Sequence, residues 1–285
     1  MPLVTGIELL DDARRRDYAV GAFNVNNMEI VQAIIAAAEE ERSPVILQAS
    51  QGAIKYAGIR YIRALVTAAA EEAKVPICLH LDHGPSFEQV MECLRYGFTS
   101  VMFDGSHLPY EENVRLTAKA VEAAHAVGVS VEGELGKIGG VEEEIRVEDW
   151  DVVLTDPEVV PDFVERTGVD YLAVAIGTKH GFYQGEPKLD FDRLARIHQL
   201  MPDLPLVLHG GSGVPEEHIR RAIPLGVRKI NIDTELRAAF VGKAREIMAA
   251  RPDEIDPRKI LGPAREAMKE KVKEKMRLFG SAGKA

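Results

Sequence analysis

The sequence predicts an α/β protein built as a closed (β/α)₈ barrel, a TIM barrel. Eight short apolar runs alternate with helical patterns along the 285 residues. Such alternation makes a parallel sheet, and eight strands are the number that closes one into a barrel. The runs end in polar or ionisable residues, as barrel strands do when their ends carry chemistry. The glycine fingerprint of a dinucleotide fold is missing after the first run, which sets aside an open doubly wound sheet.

The first strand is expected over 19–24, followed by a helix over 28–41 whose Ile30, Val31, Ile34, Ile35 and Ala38 keep helical spacing. Residues 45–50 form the second strand, with a helix over about 58–73. The third begins with the apolar run Val75-Pro76-Ile77-Cys78-Leu79 and continues through His80-Leu81-Asp82-His83-Gly84. Asp82 and His83 are adjacent, so on a regular strand they point to opposite faces. They serve one site only if the backbone turns there, a freedom assigned to Gly84. A helix near 86–96 follows, with Ser86 as N-cap. Residues 99–104 are the fourth strand, 111–127 its helix and 129–134 the fifth strand. A polar segment over 136–155 then carries Gly139-Gly140 and the acids Glu142, Glu143, Glu144, Glu148, Asp149 and Asp151. Asp156 caps a helix over 157–167. The sixth strand, 171–176, runs into Gly177-Thr178-Lys179-His180-Gly181 and a helix near 191–200. The seventh, 206–209, ends in Gly210-Gly211-Ser212-Gly213 before a helix over about 215–223. The eighth, 229–234, leads into a helix over 235–250, and an amphipathic helix over about 263–279 comes last. With no repeat, linker or low-complexity tract, residues 1–285 read as one barrel domain with a helical C-terminal extension over about 256–285.

The chain is 46% hydrophobic and 28% charged, an ordinary composition with enough length for a large core. Its 35 basic and 45 acidic residues give a net charge of -10, which argues against nucleic acid or an anionic membrane as partner. A phosphorylated small substrate held locally remains compatible with that charge. No apolar run reaches the roughly 18 residues of a membrane span, and Met1-Pro2-Leu3 opens no signal peptide. Cys78 and Cys93 read as buried thiols in a reducing compartment, so a cytoplasmic protein is expected.

The strand ends read Asn24, Ser50, Asp82 with His83, Asp104, Glu134, His180, His209, and Asn231 with Asp233 and Thr234. Such groups cost core stability unless something uses them. Any one of His83, His180 and His209 alone reads as a hydrogen-bonded rim imidazole. Three from separate strands, each followed by glycine, read instead as a catalytic zinc site with an open fourth position. His80 shares a strand face with Asp82 and suits the core better than a metal. His107, His125, His198 and His218 look structural. Gly210-Gly211-Ser212-Gly213 and Asn231-Ile232-Asp233-Thr234 follow or end strands seven and eight, where barrels place phosphate. Asp82 is a candidate general acid/base or an orienting partner of a histidine. Asp104 and Glu134 either hold a second cation or satisfy the barrel mouth. The stretch from Gly136 with Glu142 reads as a mobile lid carrying a carboxylate, its other acids as a solvated face.

Together these motifs resemble the class II, metal-dependent ketose-bisphosphate aldolases, the fructose-1,6-bisphosphate enzymes and their tagatose-bisphosphate relatives. The similarity runs from Gly21-Ala22-Phe23-Asn24 to Asp256-Pro257-Arg258-Lys259. It implies that His83, His180 and His209 hold zinc or cobalt, with Asp104 and Glu134 near a second divalent metal. It implies that Gly181, Gly210, Gly211, Ser212, Asp233 and Thr234 bind the dihydroxyacetone-phosphate half, with Asn24 and Ser50 also at the substrate and Asn231 at the enediolate. It further implies a monovalent cation on backbone oxygens near these glycines, Glu142 as the lid carboxylate that moves the substrate proton, and Asp82 as the group that protonates the new alkoxide. Arg258 matches an arginine that reaches a neighbouring subunit's distal phosphate, which implies a homodimer or homotetramer. The sequence departs from the family at Gln51, where an acid is expected, at Gly133, where alanine is usual, and in Phe103-Asp104-Gly105. These departures leave fructose against tagatose open, though Leu261-Gly262-Pro263-Ala264-Arg265 leans toward fructose.

Three rivals stand beside this reading. A Schiff-base aldolase would use Lys179, the lysine at the end of strand six. A metal-dependent hydrolase would need His-x-His after strand one, where Phe23-Asn24-Val25 stands. A non-catalytic binding barrel predicts no stoichiometric metal.

Overall fold

A strand buried on both faces needs a sheet covered on both sides, and the expected strands are apolar enough to require that. The computed structural model describes residues 3–142, 145–147, 152–181, 183 and 185–285, with the backbone alone for 140–142 and 145–147. The N-terminal part runs through helix α1 (Gly6–Arg16), strand β1 (Val20–Asn24), α2 (Met28–Glu41), β2 (Val45–Ser50), α3 (Gln51–Ala57) and α4 (Ile59–Glu72). Next come β3 (Ile77–Gly84), α5 (Phe87–Arg95), β4 (Ser100–Phe103), α6 (Tyr110–His125) and β5 (Ser130–Leu135). Two short strands, β6 (Gly139–Glu142) and β7 (Ile145–Val147), precede α7 (Val160–Thr167), β8 (Tyr171–Val174) and β9 (Lys179–His180). The chain ends through α8 (Phe191–Leu200), β10 (Leu206–Leu208), α9 (Glu216–Ala222), β11 (Val227–Ile232), α10 (Thr234–Ala250) and α11 (Pro257–Leu278).

Among the described residues, eight parallel strands close into a barrel in the order β1-β11-β10-β8-β5-β4-β3-β2. The register fixes what faces inward. Gln48 pairs with His80 and Ser50 with Asp82, so these four side chains share the interior with Ile46 and Cys78 below them. The residues between them, Leu47, Ala49, Leu79 and Leu81, pack outward on the helices. The main core is therefore a ring around the barrel, and a second, smaller cluster lies inside its lower end.

That lower end is closed by α1, which has no counterpart among the expected elements. Its signal is local: Thr5 Oγ1 accepts the Glu8 N–H at 3.3 Å, and Glu8 accepts the Thr5 N–H at 2.7 Å, a reciprocal capping box. Leu9, Leu10 and Ala13 then pack on Tyr18, Val20 and Tyr171 inside the barrel.

Other differences have equally local causes. Ser50 caps α3, a helical turn absent from the expectation. The eighth barrel strand starts at Val227, before Lys229, and the last helix starts at Pro257, where the fixed φ of proline suits a first helical position. The polar segment after β5 contains a hairpin: β6 pairs antiparallel with β7 and parallel with β9, with Gly140 opposite His180. The C-terminus folds back on α2, with the Ala285 N–H donating to the Arg42 carbonyl at 2.9 Å. Among the described residues no helix is long and apolar enough to cross a membrane.

Candidate active site

The end of β3 sets the geometry. Asp82 follows the strand alternation and points inward, fully buried. His83 would point outward, but its own φ is +46°, in the left-handed region, and this swings the ring to the same side. The turn therefore sits one residue before the expected place. Gly84 serves another purpose, since a Cβ there would lie 2.3 Å from the Met102 carbonyl oxygen.

Asp82 is held by side-chain amides. Its Oδ2 accepts from Asn24 at 3.1 Å and Gln48 at 2.9 Å, and its Oδ1 accepts from Asn231 at 3.1 Å. Gln48 also donates to Asn24 Oδ1 at 2.7 Å, which fixes the carboxamide that holds the carboxylate. The Asn231 side-chain oxygen is buried without a hydrogen-bond partner among the described residues.

The three expected histidines come together. Ring centroids lie 4.5 Å apart for His83 and His209, 5.1 Å for His83 and His180, and 6.1 Å for His180 and His209. One ligand atom from each lies within 4.8 Å of the others. His180, expected at the end of the sixth barrel strand, stands instead on β9, beside β6. His83 Nδ1 donates to Asp104 Oδ2 at 2.8 Å, and His209 Nε2 donates to Glu132 Oε1 at 2.7 Å. With His83 Nδ1 and His209 Nε2 both turned to carboxylates, His83 Nε2 and His209 Nδ1 face each other at 2.7 Å, a contact in which the tautomer decides which nitrogen donates. In their neutral forms these imidazoles would present nitrogens able to ligate a cation. Three imidazole nitrogens, two oriented by carboxylates, fit zinc. Asp104, Glu134 and His83 also have ligand atoms within reach of one another, with Glu134 Oε2 at 3.7 Å from His83 Nδ1.

Electrostatics follow from this packing. Burial raises the Asp104 carboxyl, but the hydrogen bond and charge of His83 more than reverse it, leaving it well below the usual carboxylate range. Burial lowers His209, the charge of His83 lowers it further, and Glu132 opposes both. Glu132 is raised by burial and pulled well below its ordinary range by Lys229, helped by His209 and His80. Lys229 Nζ lies 2.8 Å from Glu132 Oε2, and both side chains are wholly buried.

Glu132, Lys229 and Gln48 escape the strand-end reading because they lie deeper in the barrel. Their signal is period two: each precedes a rim position by two residues, on the same face. Lys229 is also a second lysine for a Schiff-base reading, and Glu132 occupies its ammonium. Lys179 turns its ammonium over the Tyr183 ring, 5.7 Å from the centroid. Its carbonyl oxygen would lie 2.4 Å from a Cβ at Gly210, whose φ is +62°, so only glycine fits there. His80, expected in the core, is buried and meets Ser100 at 2.7 Å through Nδ1.

Across the mouth, one pocket brings Asn24 and His180 together with Gly181, Gly210 and Ser212, and with Asn231, Asp233 and Thr234. Ser212 Oγ accepts the N–H groups of Asp233 at 3.3 Å and Glu235 at 3.4 Å, tying the glycine loop to the start of α10. Loop backbone and a helix N-terminus meet there, an arrangement that suits an anion. Arg237, paired with Asp233, also lines it; one turn into α10, it escaped the strand-end reading. Gly211 lies just beneath, where a Cβ would meet Ile230 Cγ2 at 2.8 Å. Tyr183 Oη accepts from the Lys179 N–H at 2.9 Å and donates to the Gly210 carbonyl at 2.8 Å, joining the two loops.

Three expected residues stand apart. Ser50 lies beside Asp82 by register, with its Oγ accepting the Ala53 N–H at 3.2 Å. Arg258 is 88% exposed, pairs with Asp256, and is not among the residues lining the pocket. Glu142 ends β6, and its side chain lies outside the described residues. Two departures from the family pattern have packing reasons. A Cβ at Gly133 would meet Val169 at 3.0 Å and Phe163 at 3.1 Å, and one at Gly105 would meet Asn113 Oδ1 at 2.2 Å.

A barrel whose rim gathers three imidazoles, an amide-caged carboxylate and an anion pocket belongs with the metal-dependent enzymes of the (β/α)₈ class. Residues 4–284 match the family model described as fructose-bisphosphate aldolase class-II. The chain belongs to that family. It is 55% identical to the fructose-bisphosphate aldolase of Thermus caldophilus, covering 99% of this chain and 100% of the relative. It is 52% identical to that of Geobacillus stearothermophilus, covering 100% and 99%. Among crystal structures, the YdjI aldolase from Escherichia coli K12 superposes with a TM-score of 0.86 at 37% identity, over 100% of both chains.

Proposed function

We propose that this chain catalyses the reversible cleavage of fructose 1,6-bisphosphate to dihydroxyacetone phosphate and glyceraldehyde 3-phosphate, with tagatose 1,6-bisphosphate as the alternative sugar. The observation that carries the reading is Asp82, caged by Asn24, Gln48 and Asn231 directly beside His83. His83, His180 and His209 would hold zinc, or cobalt in its place. When bound, the metal supplies Lewis-acid polarisation of the ketose carbonyl, which acidifies the neighbouring C–H.

The chain does the rest by position. Asp82 takes the hydroxyl proton whose loss breaks the carbon–carbon bond, and returns it in condensation. Its three amide partners hold the carboxylate in place for both directions. Asn231 offers its unpartnered side-chain oxygen to a substrate hydroxyl. Glu142 moves the C–H proton; the pairing of Gly140 with His180 supports bringing this segment to the site. The loops that carry Gly181, Gly210, Gly211, Ser212, Asp233 and Thr234 receive the phosphate of the dihydroxyacetone half, with the Gly211 and Asp233 N–H groups themselves held by the Asn231 carbonyl and Ser212 Oγ, and Ser50 lines the substrate near Asp82. Asp104 and Glu134 hold a second divalent ion in some states of the enzyme, and backbone oxygens near the glycines hold a monovalent cation. The exposure of Arg258 supports its reaching a distal phosphate in a neighbouring subunit of a homodimer or homotetramer. The buried thiols Cys78 and Cys93 suit a reducing cytoplasm.

A coupled cleavage assay on both bisphosphates, with and without chelator, tests this. Activity should fall to background on chelation, return with zinc, and favour the fructose compound. Chelator-resistant activity trapped by borohydride would move the chemistry to a lysine and overturn the proposal.

A further inference from the structure

Glu235 stands one residue beyond Thr234, in the first turn of α10. Its carboxylate Oε1 accepts the Gly213 N–H at 3.2 Å, while its own backbone N–H donates to Ser212 Oγ at 3.4 Å. Both ends of one residue thus hold the glycine loop after β10. The Gly213 N–H is thereby committed to protein and is not a donor for substrate. A carboxylate in a first turn suits the helix dipole, but here it also stands beside backbone groups that would receive a phosphate dianion. Like charges repel, and more so where burial lowers the local dielectric.

The compensation comes from the last turn of α11. Lys275 Nζ lies 2.8 Å from Glu235 Oε2, with side chains only 7% and 19% exposed. Its neighbours on α11 behave differently: Lys269 and Lys273 pair with Glu40 of α2 at the surface. An apolar pair would pack α11 on α10 as well or better, because buried ion pairs seldom add net stability. What an apolar pair could not do is accept the Gly213 N–H without adding net charge to the pocket.

We propose that Glu235 and Lys275 are positioning residues for substrate binding: Glu235 fixes the phosphate loop, and Lys275 cancels its charge. This rests on the phosphate placement proposed above. The zinc-loaded full chain is assayed for cleavage of fructose 1,6-bisphosphate, with thermal melts run in parallel. Lys275→Met, which leaves the carboxylate unbalanced, should raise KM about tenfold with kcat within about twofold. Lys275→Arg, which keeps the charge, should stay within about twofold of the parent KM. Glu235→Gln keeps an oxygen for Gly213, removes the repulsion, and should lower KM severalfold while restoring the Lys275→Met background when combined with it. If Lys275→Met does not fold, Glu235→Gln alone decides, and an unchanged or raised KM overturns the proposal. Equal KM defects in Lys275→Met and the double variant also overturn it, by reducing Lys275 to packing. Ser212→Ala separates the two readings. If it raises KM while Lys275→Met does not, the brace fails and the phosphate placement stands; if it leaves KM unchanged, both fail.

Discussion

At the floor of the barrel, Leu9, Leu10 and Ala13 of α1 press on Tyr18, Val20, Cys78 and Tyr171, and polar groups find one another. Tyr171 Oη meets Ser100 Oγ, Ser100 meets His80, and Ser130 Oγ accepts the Gly6 N–H at 2.9 Å. At the rim, the same inward-pointing positions hold Asp82, Asn231 and His209, and there the Asn231 side-chain oxygen has no hydrogen-bond partner among the described residues. The two ends share one alternation and differ in what closes them. A helix seals the floor, so a polar group there survives only if protein satisfies it. The rim opens to a pocket, so its polar groups can be left for a ligand. Between the two layers, Glu132 and Lys229 neutralise each other in full burial.

The largest effect should come from breaking the rim without touching the floor. Asp82→Asn keeps the shape but replaces an acceptor with an amide facing three amides, and kcat should fall about 1,000-fold, roughly 4 kcal/mol in the barrier. The melting temperature should move by only a few degrees, since one end of the barrel alone is disturbed. A melting temperature that collapses with activity would show that rim and floor are one cooperative unit.

The middle layer should behave in the opposite way. Lys229→Met leaves Glu132 buried and unbalanced, which should destabilise by about 4 kcal/mol in urea unfolding. Adding Glu132→Gln should recover much of that loss, because the buried charge goes with it. If the double variant is no more stable than the single one, the pair is not the electrostatic unit that its 2.8 Å contact indicates.

At the floor, Leu10→Ala, at a site with no exposure, should cost about 3 kcal/mol while leaving kcat unchanged. Loss of catalysis alongside that loss of stability would make the plug part of the site.

How far this division is legible in the sequence depends on what writes each part. The eight barrel strands show as apolar runs, and rim residues show as polar breaks in them, so His83, His209, Asp82 and Asn231 are visible from strand ends alone. Helix α1 is written in a capping box and three apolar contacts, too short a pattern to stand out beside longer helices. Glu132 and Lys229 are hidden because each sits two residues below a polar strand end, in strands that carry other polar residues as well, Ser130 and Glu134 in one and Arg228 and Asn231 in the other. The turn at His83 could not be read, because a left-handed non-glycine residue beside a glycine leaves the neighbour as the natural choice. His180, expected at the end of strand six, stands instead on two-residue β9, which among the described residues pairs with β6 of a hairpin formed elsewhere in the chain.

The smallest expected effect separates the floor from the rim by pH. Cys78 lies in the floor cluster, fully buried, with Thr99 donating to its sulfur at 3.6 Å. Burial pushes its thiol from an ordinary value of 9.0 up to about 12. The folded protein therefore keeps a proton that the unfolded chain releases from about pH 9 upward. The thiol's contribution to stability is complete below that pH and declines as pH rises toward the folded value, by about 1 kcal/mol between pH 8 and pH 10. Cys93 shows the same shift to about 12, again through burial, on α5 outside the barrel. Comparing the slope of stability with pH in the parent and in Cys78→Ala cancels the cavity cost, which does not vary with pH. The variant should lose one thiol's share of the slope, and the native parent should expose no reactive thiol to a disulfide reagent at pH 8. Parallel slopes, or a thiol that reacts in the folded state, would mean that solvent reaches the floor, and the sealed end would then resemble the rim.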